Sequence, residues 1–518
     1  MDSRSAHSIK NIAAGIVNRI AGIVLPFVMR TIIIYVLGEE YLGLNSLFAS
    51  ILQVLNLAEL GFSNAIAASM YKPIAEKDYQ TVSALLRLFR NVYRVIGYIM
   101  IFSGFAVLPF LPLLINGDTP KGVNIYILFL LYLAQSAFSY LFWAYKAILI
   151  NAHQRSDITE LIGAIVKCIT FALQMVSILV FKSITLYMFM NVLCIVLNNV
   201  ACNVMANKMY GVYKCEGNLN DELKNRIKTN IFALAIHKIG NTISTSLDTI
   251  IISAFLSLSV VAIYGNYNYI ASAVGAFIVL IFSSITASVG NSIAIESKEK
   301  NYKDFCNFSF LNSWIVGWCS ISLLCLYQPF MKIWMGERLL LDWDTIVCIV
   351  ICFYIQNIRR VVMTYKDAAG MWYADKYKPL VGCLVNLVLN IYLVKNIGVA
   401  GVVISTIVSY ALVEMPWETH VLFKLYFRKS EIMYYLQLLF TTLTIIVAGG
   451  VTLYICVRID NTWSGLILKG IICILVPNII MILLNCRRRE FAIGTKFMKH
   501  LSRIILRREN HEQDKGMD

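Results

Sequence analysis

Long apolar runs alternate with short polar segments along this chain, and the apolar runs predict membrane-spanning helices. A bilayer core about 30 Å thick needs roughly 20 apolar residues per helix. Fourteen stretches reach that length: 12–37, 42–70, 82–111, 122–150, 157–181, 184–207, 229–256, 260–288, 305–329, 343–365, 378–395, 398–423, 431–457 and 463–485. The pattern predicts an all-α polytopic membrane protein with 14 transmembrane helices.

Composition agrees with this prediction. Of the 518 residues, 58% are hydrophobic and 14% are charged, against roughly 45–50% and about 25% in soluble domains. The first apolar run lacks a small-residue cleavage site, so we interpret it as a retained helix and not as a signal peptide. The net charge of +15 is not clustered on a soluble domain, so nucleic acid is not an expected partner.

Lysine and arginine residues predict the direction of insertion, because they are enriched in cytosolic loops. With the N-terminus placed in the cytosol, the cytosolic segments hold 28 Lys and Arg and the outer loops hold 6. Both termini are therefore predicted to be cytosolic, with a basic amphipathic tail, 487–518, along the inner leaflet. The predicted outer loops are all too short to form a catalytic domain. This argues against a membrane glycosyltransferase, ligase or polymerase, and we predict that the protein is not an enzyme.

Short matches at nearly constant spacing indicate an internal duplication. The letters TIII occur at 31–34 and 249–252, RVIGY at 94–98 resembles WIVGW at 314–318, and AYK at 144–146 resembles TYK at 364–366. Helices 1–6 then correspond to helices 7–12. Because six is even, the halves enter the membrane in the same direction, as parallel repeats related by a pseudo-two-fold axis along the membrane normal. The predicted organisation is an N-lobe at 1–210, a linker at 211–228, a C-lobe at 229–428, helices 13 and 14 at 429–486, and the tail.

Charged residues inside the predicted spans are candidate functional residues, because each costs about 2.5–3.5 kcal/mol at the bilayer centre. Arg19 and Arg30 lie roughly 16 Å apart along one face of helix 1. The duplication relates them to His237 and Asp248 on helix 7. We expect Arg30 and Asp248 to border a water-filled cleft, whereas Arg19 has a second interpretation as a residue that reaches the cytosolic interface.

Other charges extend this picture. Arg87, Arg90 and Arg94 form a basic stripe that either lines a cytosolic vestibule or lies on a cytosolic extension of helix 3. Arg359 and Arg360 are placed where they would face the vestibule from the other half, as further candidates to bind a pyrophosphate. The acids Glu59, Glu414 and Glu418 lie in or near the core, and the last two either bind a coupling cation or pair with the tail of helix 12 at the interface.

Basic side chains dominate the predicted interior, so the cleft favours anions and phosphate groups in particular. Polar and aromatic residues on the same helices are candidates to face a sugar, although they equally suit ties between helices; they are Asn199, Asn266, Asn268 and Tyr264. The 13 cysteines show no CxxC spacing. We expect free thiols and no metal site.

Three stretches resemble a known family: LGEEYLGLNSLFASIL after helix 1, LAELGFSNAI in helix 2, and LDTIIISAFLSLSVVAIYGNYN across helices 7 and 8. They are similar to the polysaccharide (Wzx-type) flippases of the multidrug/oligosaccharidyl-lipid/polysaccharide (MOP) exporter superfamily. The resemblance covers essentially the whole chain, least well at helices 13 and 14. It implies two six-helix lobes in a MATE-like V shape, and a cationic cavity whose basic residues fall on Arg19, Arg30, Arg90, Arg94 and Lys238.

The resemblance also implies a function. It is the transport of polyprenyl-pyrophosphate-linked oligosaccharide repeat units from the inner to the outer leaflet of a bacterial plasma membrane, beside polysaccharide polymerase and other assembly proteins. Asp248 departs from a purely basic cavity; we predict that it pairs with Arg30 as a gate, with Glu59 and His237 as further gate or coupling residues. No cofactor is expected, apart from an undetermined coupling Na⁺ or H⁺. The alternatives are a lipid II flippase and a multidrug or cation antiporter of the same superfamily.

Overall fold

The protein is described by a computed structural model. It describes residues 3–56, 62–117, 119–120, 122–219, 224, 242–243, 246–486 and 491, without the side chains of 3–17, 19, 62–66, 68, 284 and 287. Within these ranges the secondary structure is entirely helical, as predicted.

The helices follow the apolar runs closely. In chain order they are α1 (Ser3–Val36), α2 (Glu39–Leu55), α3 (Phe62–Ala75), α4 (Tyr79–Val107), α5 (Ile125–Leu141), α6 (Tyr145–Ala152), α7 (Ser156–Leu179), α8 (Ile184–Tyr210), α9 (Ser246–Phe255), α10 (Leu258–Ile295), α11 (Lys298–Met335), α12 (Trp343–Ile358), α13 (Arg360–Ala368), α14 (Lys378–Val408), α15 (Met415–Val421), α16 (Ile432–Cys456) and α17 (Trp463–Asn485). Polar side chains begin several of them: Asp78 accepts from the Thr81 N–H at 2.9 Å, and Ser183 caps α8 in the same way.

Nine helical stretches of the described residues are long and apolar enough to cross a membrane, or ten if the bent pair α5 and α6 forms one span. The predicted count of fourteen stays a prediction. Predicted spans 42–70 and 229–256 run over residues outside the described ranges, and one continuous stretch, Met371–Phe427, covers two predicted spans. That stretch breaks where Gly398 adopts φ 57° and ψ −136°, a conformation open to glycine.

Irregular helix surrounds Pro416. A π-helical turn, Ser409–Glu414, precedes α15 and a second one, Leu422–Phe427, follows it. Proline has no backbone N–H to donate to the preceding turn, so a local widening of the helix here has a direct cause. The turn places Glu414 and Glu418 on one buried side.

The chain forms two compact units. Unit 1 comprises Met1–Asn266 with Pro379–Ser405, and unit 2 comprises Tyr267–Lys378 with Thr406–Asp518. In unit 1, α1 packs on α7, α7 on α8, and α5 on both α4 and α8. In unit 2, α11 packs on α12, α16 and α17. The predicted lobe boundaries rest on the repeat and not on contacts, and they stay a prediction.

Candidate functional site

Arg30 lies where α1 meets the start of α10. Its Nε donates to Asn266 Oδ1 at 2.9 Å, and Asn266 is buried. A Cβ atom built on Gly265 would lie 3.0 Å from Arg30 Nη2, so the absence of a side chain at 265 makes room for the guanidinium. The hydrogen bond to an amide positions Arg30 without neutralising its charge.

A groove of about 510 Å³ lies in unit 1, and Met29, the chain neighbour of Arg30, is one of its lining residues. One face of α1 forms a wall through Gly22, Pro26 and Met29, and α7 and α8 supply the other walls. Arg30 follows Met29 in the chain and interacts electrostatically with Tyr187, which lines the groove. The other polar residues that line the groove are Lys167, Thr170, Gln174, Asn191 and Asn198.

Lys167 brings a second positive charge to the groove. Its Nζ donates to Asn18 Oδ1 at 2.5 Å, and Asn18 donates in turn to the Glu160 carboxylate. The lysine side chain is exposed. The groove therefore combines an accessible cation with amide and hydroxyl groups, a set that suits a phosphorylated saccharide.

Asp248 lies in a buried cluster of oxygen-bearing side chains, also in unit 1. Asn390 Nδ2 donates to Asp248 Oδ1 at 2.9 Å and to Asn386 Oδ1 at 3.0 Å, and Ser405 Oγ donates to Asn390 Oδ1 at 2.6 Å. All four residues are buried. The Asp248 carboxylate thus accepts one hydrogen bond from a neutral amide. The pairing of Asp248 with Arg30 stays a prediction.

A buried charge network occupies unit 2. Arg359 donates to Glu418 through Nε at 3.0 Å and through Nη2 at 2.9 Å, and its Nη2 also reaches Glu414 at 2.5 Å. Lys378 donates to the same Glu418 carboxylate. The four side chains are 0–4% exposed. Two carboxylates thus pair with Arg359, and its predicted role in binding pyrophosphate stays a prediction.

The network continues toward the polar segment after α13. Lys366 Nζ lies 2.8 Å from Asp375 and 3.1 Å from Asp367. Arg360 is half-buried beside Arg359, and its buried Nε has no hydrogen-bond partner. Of the two arginines predicted here, Arg360 is therefore the one with hydrogen-bonding capacity left over. Glu414 and Glu418 form ion pairs with Arg359, and their predicted roles, a coupling cation or a pair with the tail of helix 12, stay predictions.

The arginine stripe on α4 divides between different surroundings. Arg87 is exposed and donates to the Gly217 carbonyl at 3.0 Å and to Asn218 Oδ1 at 3.3 Å. It thereby holds the segment after α8. Arg90 is half-buried and Arg94 is exposed, and both lie within electrostatic reach of Tyr145. Arg87 fits the interpretation as a cytosolic extension, whereas the roles of Arg90 and Arg94 stay predictions.

The residues predicted to face a sugar also differ from one another. Asn199 is buried, and its Nδ2 donates to the Phe138 and Ser139 carbonyls at 3.3 and 3.5 Å, a tie between α8 and α5. Asn266 holds Arg30. Tyr264 is buried and Asn268 is exposed. Asn199 therefore makes a contact of the kind expected for a tie between helices, and a sugar contact at any of the four stays a prediction.

Other predicted residues lie outside the description. Glu59, His237 and Lys238 are not among the described residues, and for Arg19 only the helical backbone is described. Conversely, Asn386, Asn390, Lys366 and Lys378 were not predicted. The pair Asn386 and Asn390, four residues apart in an apolar helix, was a usable signal, because such a pair places two amides on one face.

Comparison with known proteins defines the fold. No family model and no curated protein sequence matches the chain. Among solved structures, the chain is similar to the lipid II flippase MurJ in its inward closed conformation, with a TM-score of 0.66 at 14% identity, over 92% of this chain and 99% of that one.

Two further structures give the same result. An inward-facing multidrug resistance MATE family transporter of the MOP superfamily aligns with a TM-score of 0.60 at 12% identity, over 77% of this chain and 94% of that one. A MOP superfamily transporter from Pyrococcus furiosus, described as having a binding pocket of reversed polarity, aligns with a TM-score of 0.54 at 12% identity, over 82% and 96%. The chain therefore has the fold of the MurJ and MATE transporters of the MOP superfamily.

Proposed function

We propose that this protein is a flippase that moves polyprenyl-pyrophosphate-linked oligosaccharide repeat units from the inner to the outer leaflet of a bacterial plasma membrane by alternating access. The observation that carries the proposal is Arg30, a guanidinium held by the neutral Asn266, together with the unit 1 groove whose lining includes Lys167 and several amide and hydroxyl side chains. A guanidinium hydrogen-bonded to an amide, in the same unit as a groove that offers a lysine, amides and hydroxyls, suits a pyrophosphate joined to a sugar.

A lipid II flippase is the second candidate. The alignment with MurJ supports it, because 99% of that chain is covered. Both candidates carry a saccharide on a polyprenyl pyrophosphate, so they share the headgroup chemistry that Arg30 and Lys167 suit.

A cation antiporter fits less well. Such a transporter needs negative charge in its binding site. The acids Glu414 and Glu418 are neutralised by Arg359 and Lys378, so they do not offer that charge to a cationic drug.

In the proposed cycle the lipid tail stays in the bilayer while the headgroup crosses a polar path. The pyrophosphate binds Arg30 and competes with its protein partners, Asp248 among them in the predicted gate. An inside-negative potential favours outward movement of negative charge by about 2.3 kcal/mol per charge per 100 mV.

A coupling cation at Asp248 is the alternative source of free energy. The Asp248 carboxylate, the amide oxygens of Asn386 and Asn390 and the Ser405 hydroxyl lie in one buried cluster. Oxygen donors of this kind suit a hard cation such as Na⁺. Binding would replace hydrogen bonds that now join these side chains to one another.

Purified protein in liposomes tests the proposed function directly. Liposomes containing fluorescent lipid-linked oligosaccharide in one set and lipid II in another report which substrate changes leaflet. Arg30→Gln is expected to lower the rate about tenfold or more, since a charge-assisted hydrogen bond contributes about 1.5–3 kcal/mol. Arg338→Gln, an exposed loop arginine, is the control. Transport of neither lipid by the wild type would refute the proposal.

The gate and the coupling cation have separate tests. For the gate, Arg30→Asp, Asp248→Arg and the double swap are compared; a double swap no more active than either single reversal rejects the pairing.

For coupling, the wild type and Asp248→Asn are assayed with and without a Na⁺ gradient. An equal response of both proteins to the gradient rejects a coupling site at Asp248.

A further inference from the structure

Three cysteines from distant parts of the sequence meet inside unit 2. Cys325 lies in α11, Cys456 ends α16 and Cys473 lies in α17. Their Sγ atoms all lie within 4.8 Å of one another. The three residues are 3%, 2% and 1% exposed, so the thiols form one enclosed group at the junction of three helices.

The spacing of these sulfur atoms is close to that of a metal-thiolate site. A soft metal such as Zn²⁺ binds sulfur at about 2.3 Å, which separates neighbouring ligand sulfurs by about 3.8–4.0 Å in tetrahedral or trigonal geometry. Sulfur atoms within 4.8 Å reach that arrangement with side-chain shifts of less than about 1 Å. Such a site has three of the four ligands that zinc takes and one open position.

A buried lysine adds a charge argument. Lys469 lies one turn before Cys473 on α17, is 3% exposed, and donates through Nζ to Asn461 Oδ1 at 2.5 Å. It lies within electrostatic reach of Cys325 and Cys456, and of the exposed Asp460. Three thiolates with a divalent ion carry a net charge of −1, which the Lys469 ammonium offsets. Burial of a charged metal site in an apolar core requires such a balance.

We propose that Cys325, Cys456 and Cys473 bind one thiophilic divalent d¹⁰ cation, with Zn²⁺ as the ion of this class. Binding replaces the three thiol protons with three metal–sulfur bonds and releases three protons to solvent, with no change of oxidation state. The ion joins α16 and α17 to α11 within unit 2. This proposal revises the expectation of no metal site and does not rest on the proposed transport function.

Full-length protein purified in detergent, reduced and then freed of metal by a chelator, tests the site. Cd²⁺ is titrated while the ultraviolet band of thiolate-to-cadmium charge transfer is recorded, and Zn²⁺ is counted per folded chain by native mass spectrometry. We expect one ion per chain and a higher thermal unfolding midpoint with metal, because a ligand that binds the folded state stabilises it.

Matched cysteine variants localise the ion. Cys473→Ser and the variant with Cys325, Cys456 and Cys473 all changed to serine are expected to lose the band and the stabilisation. The control Cys194→Ser, Cys202→Ser replaces two buried cysteines of α8 and is expected to keep both. A band that survives in the triple variant, or that disappears in the control, overturns the assignment.

A measurement on the wild type decides the matter if the variants do not fold. The X-ray absorption spectrum of the Zn²⁺-loaded protein is expected to show a first shell of three sulfur ligands. A shell dominated by nitrogen and oxygen, failure to retain Zn²⁺, or a disulfide between any two of these cysteines in the freshly purified protein each overturns the proposal.

Discussion

Replacing Arg359 by methionine removes the positive centre of the buried network in unit 2. Arg359 supplies two hydrogen bonds to Glu418 and one to Glu414, at 2.5–3.0 Å. Without it, the network loses one positive charge, and Lys378, which also pairs with Asp375, is left as the ion-pair partner of two carboxylates that are 0–3% exposed.

The expected loss is large. Removal of one partner from a buried ion pair costs about 3–5 kcal/mol, because the charge left behind has lost both water and counter-ion. The free energy of unfolding, from titration with SDS monitored by circular dichroism, should fall by that amount. Adding Glu414→Gln to Arg359→Met restores charge balance and should recover part of the loss.

An exposed ion pair of equal length is the control. Lys332 Nζ lies 2.5 Å from Glu337, the same distance as Arg359 from Glu414, but its two side chains are 41% and 74% exposed. Lys332→Met should therefore cost at most about 1 kcal/mol. If Arg359→Met costs no more than Lys332→Met, burial does not set the strength of this network and the reasoning is wrong.

Two glycine substitutions give further predictions, each with a control. Gly265→Ala places a methyl group 3.0 Å from Arg30 Nη2 and should lower the transport rate in liposomes by displacing the guanidinium. The control is Gly290→Ala, also on α10, where no atom lies within 4 Å of the added Cβ; its transport rate should not fall. Equal rates for the two variants would refute the positioning of Arg30. Gly317→Ala brings Cβ to 2.5 Å from an Ile445 side-chain atom and should lower the free energy of unfolding by about 1–3 kcal/mol. Gly450→Ala, in open space inside α16, should not lower it, because alanine is favoured over glycine within a helix by up to about 1 kcal/mol. A loss in both variants, or in neither, would contradict this packing.

The position of Gly317 also shows how the two halves of the sequence diverge. Gly97 and Gly317 correspond in the predicted repeat, and a large side chain packs where each would carry a Cβ. At Gly97 the neighbour is Leu141 of α5, whereas at Gly317 it is Ile445 of α16. Gly317 thus packs against a helix outside the predicted repeat, and this contact joins α16 to α11 in unit 2.

The pattern of apolar residues by itself determined the helices and the class of protein. Predicted spans such as 431–457 and 463–485 match α16 and α17 to within two residues. The physical reason is local: a span must satisfy its own backbone hydrogen bonds in lipid, so its length and its ends are written in consecutive residues.

Only the tertiary structure decided which charges are compensated and which groups meet. Arg30 and Arg359 both appear in the sequence as arginines within apolar helices, yet one is held by an amide and the other by two carboxylates about sixty residues further along the chain. Cys325, Cys456 and Cys473 have no motif spacing, and they come together because α11, α16 and α17 pack against one another. The partners of a buried side chain depend on helix packing between distant segments, and no local pattern of residues records that.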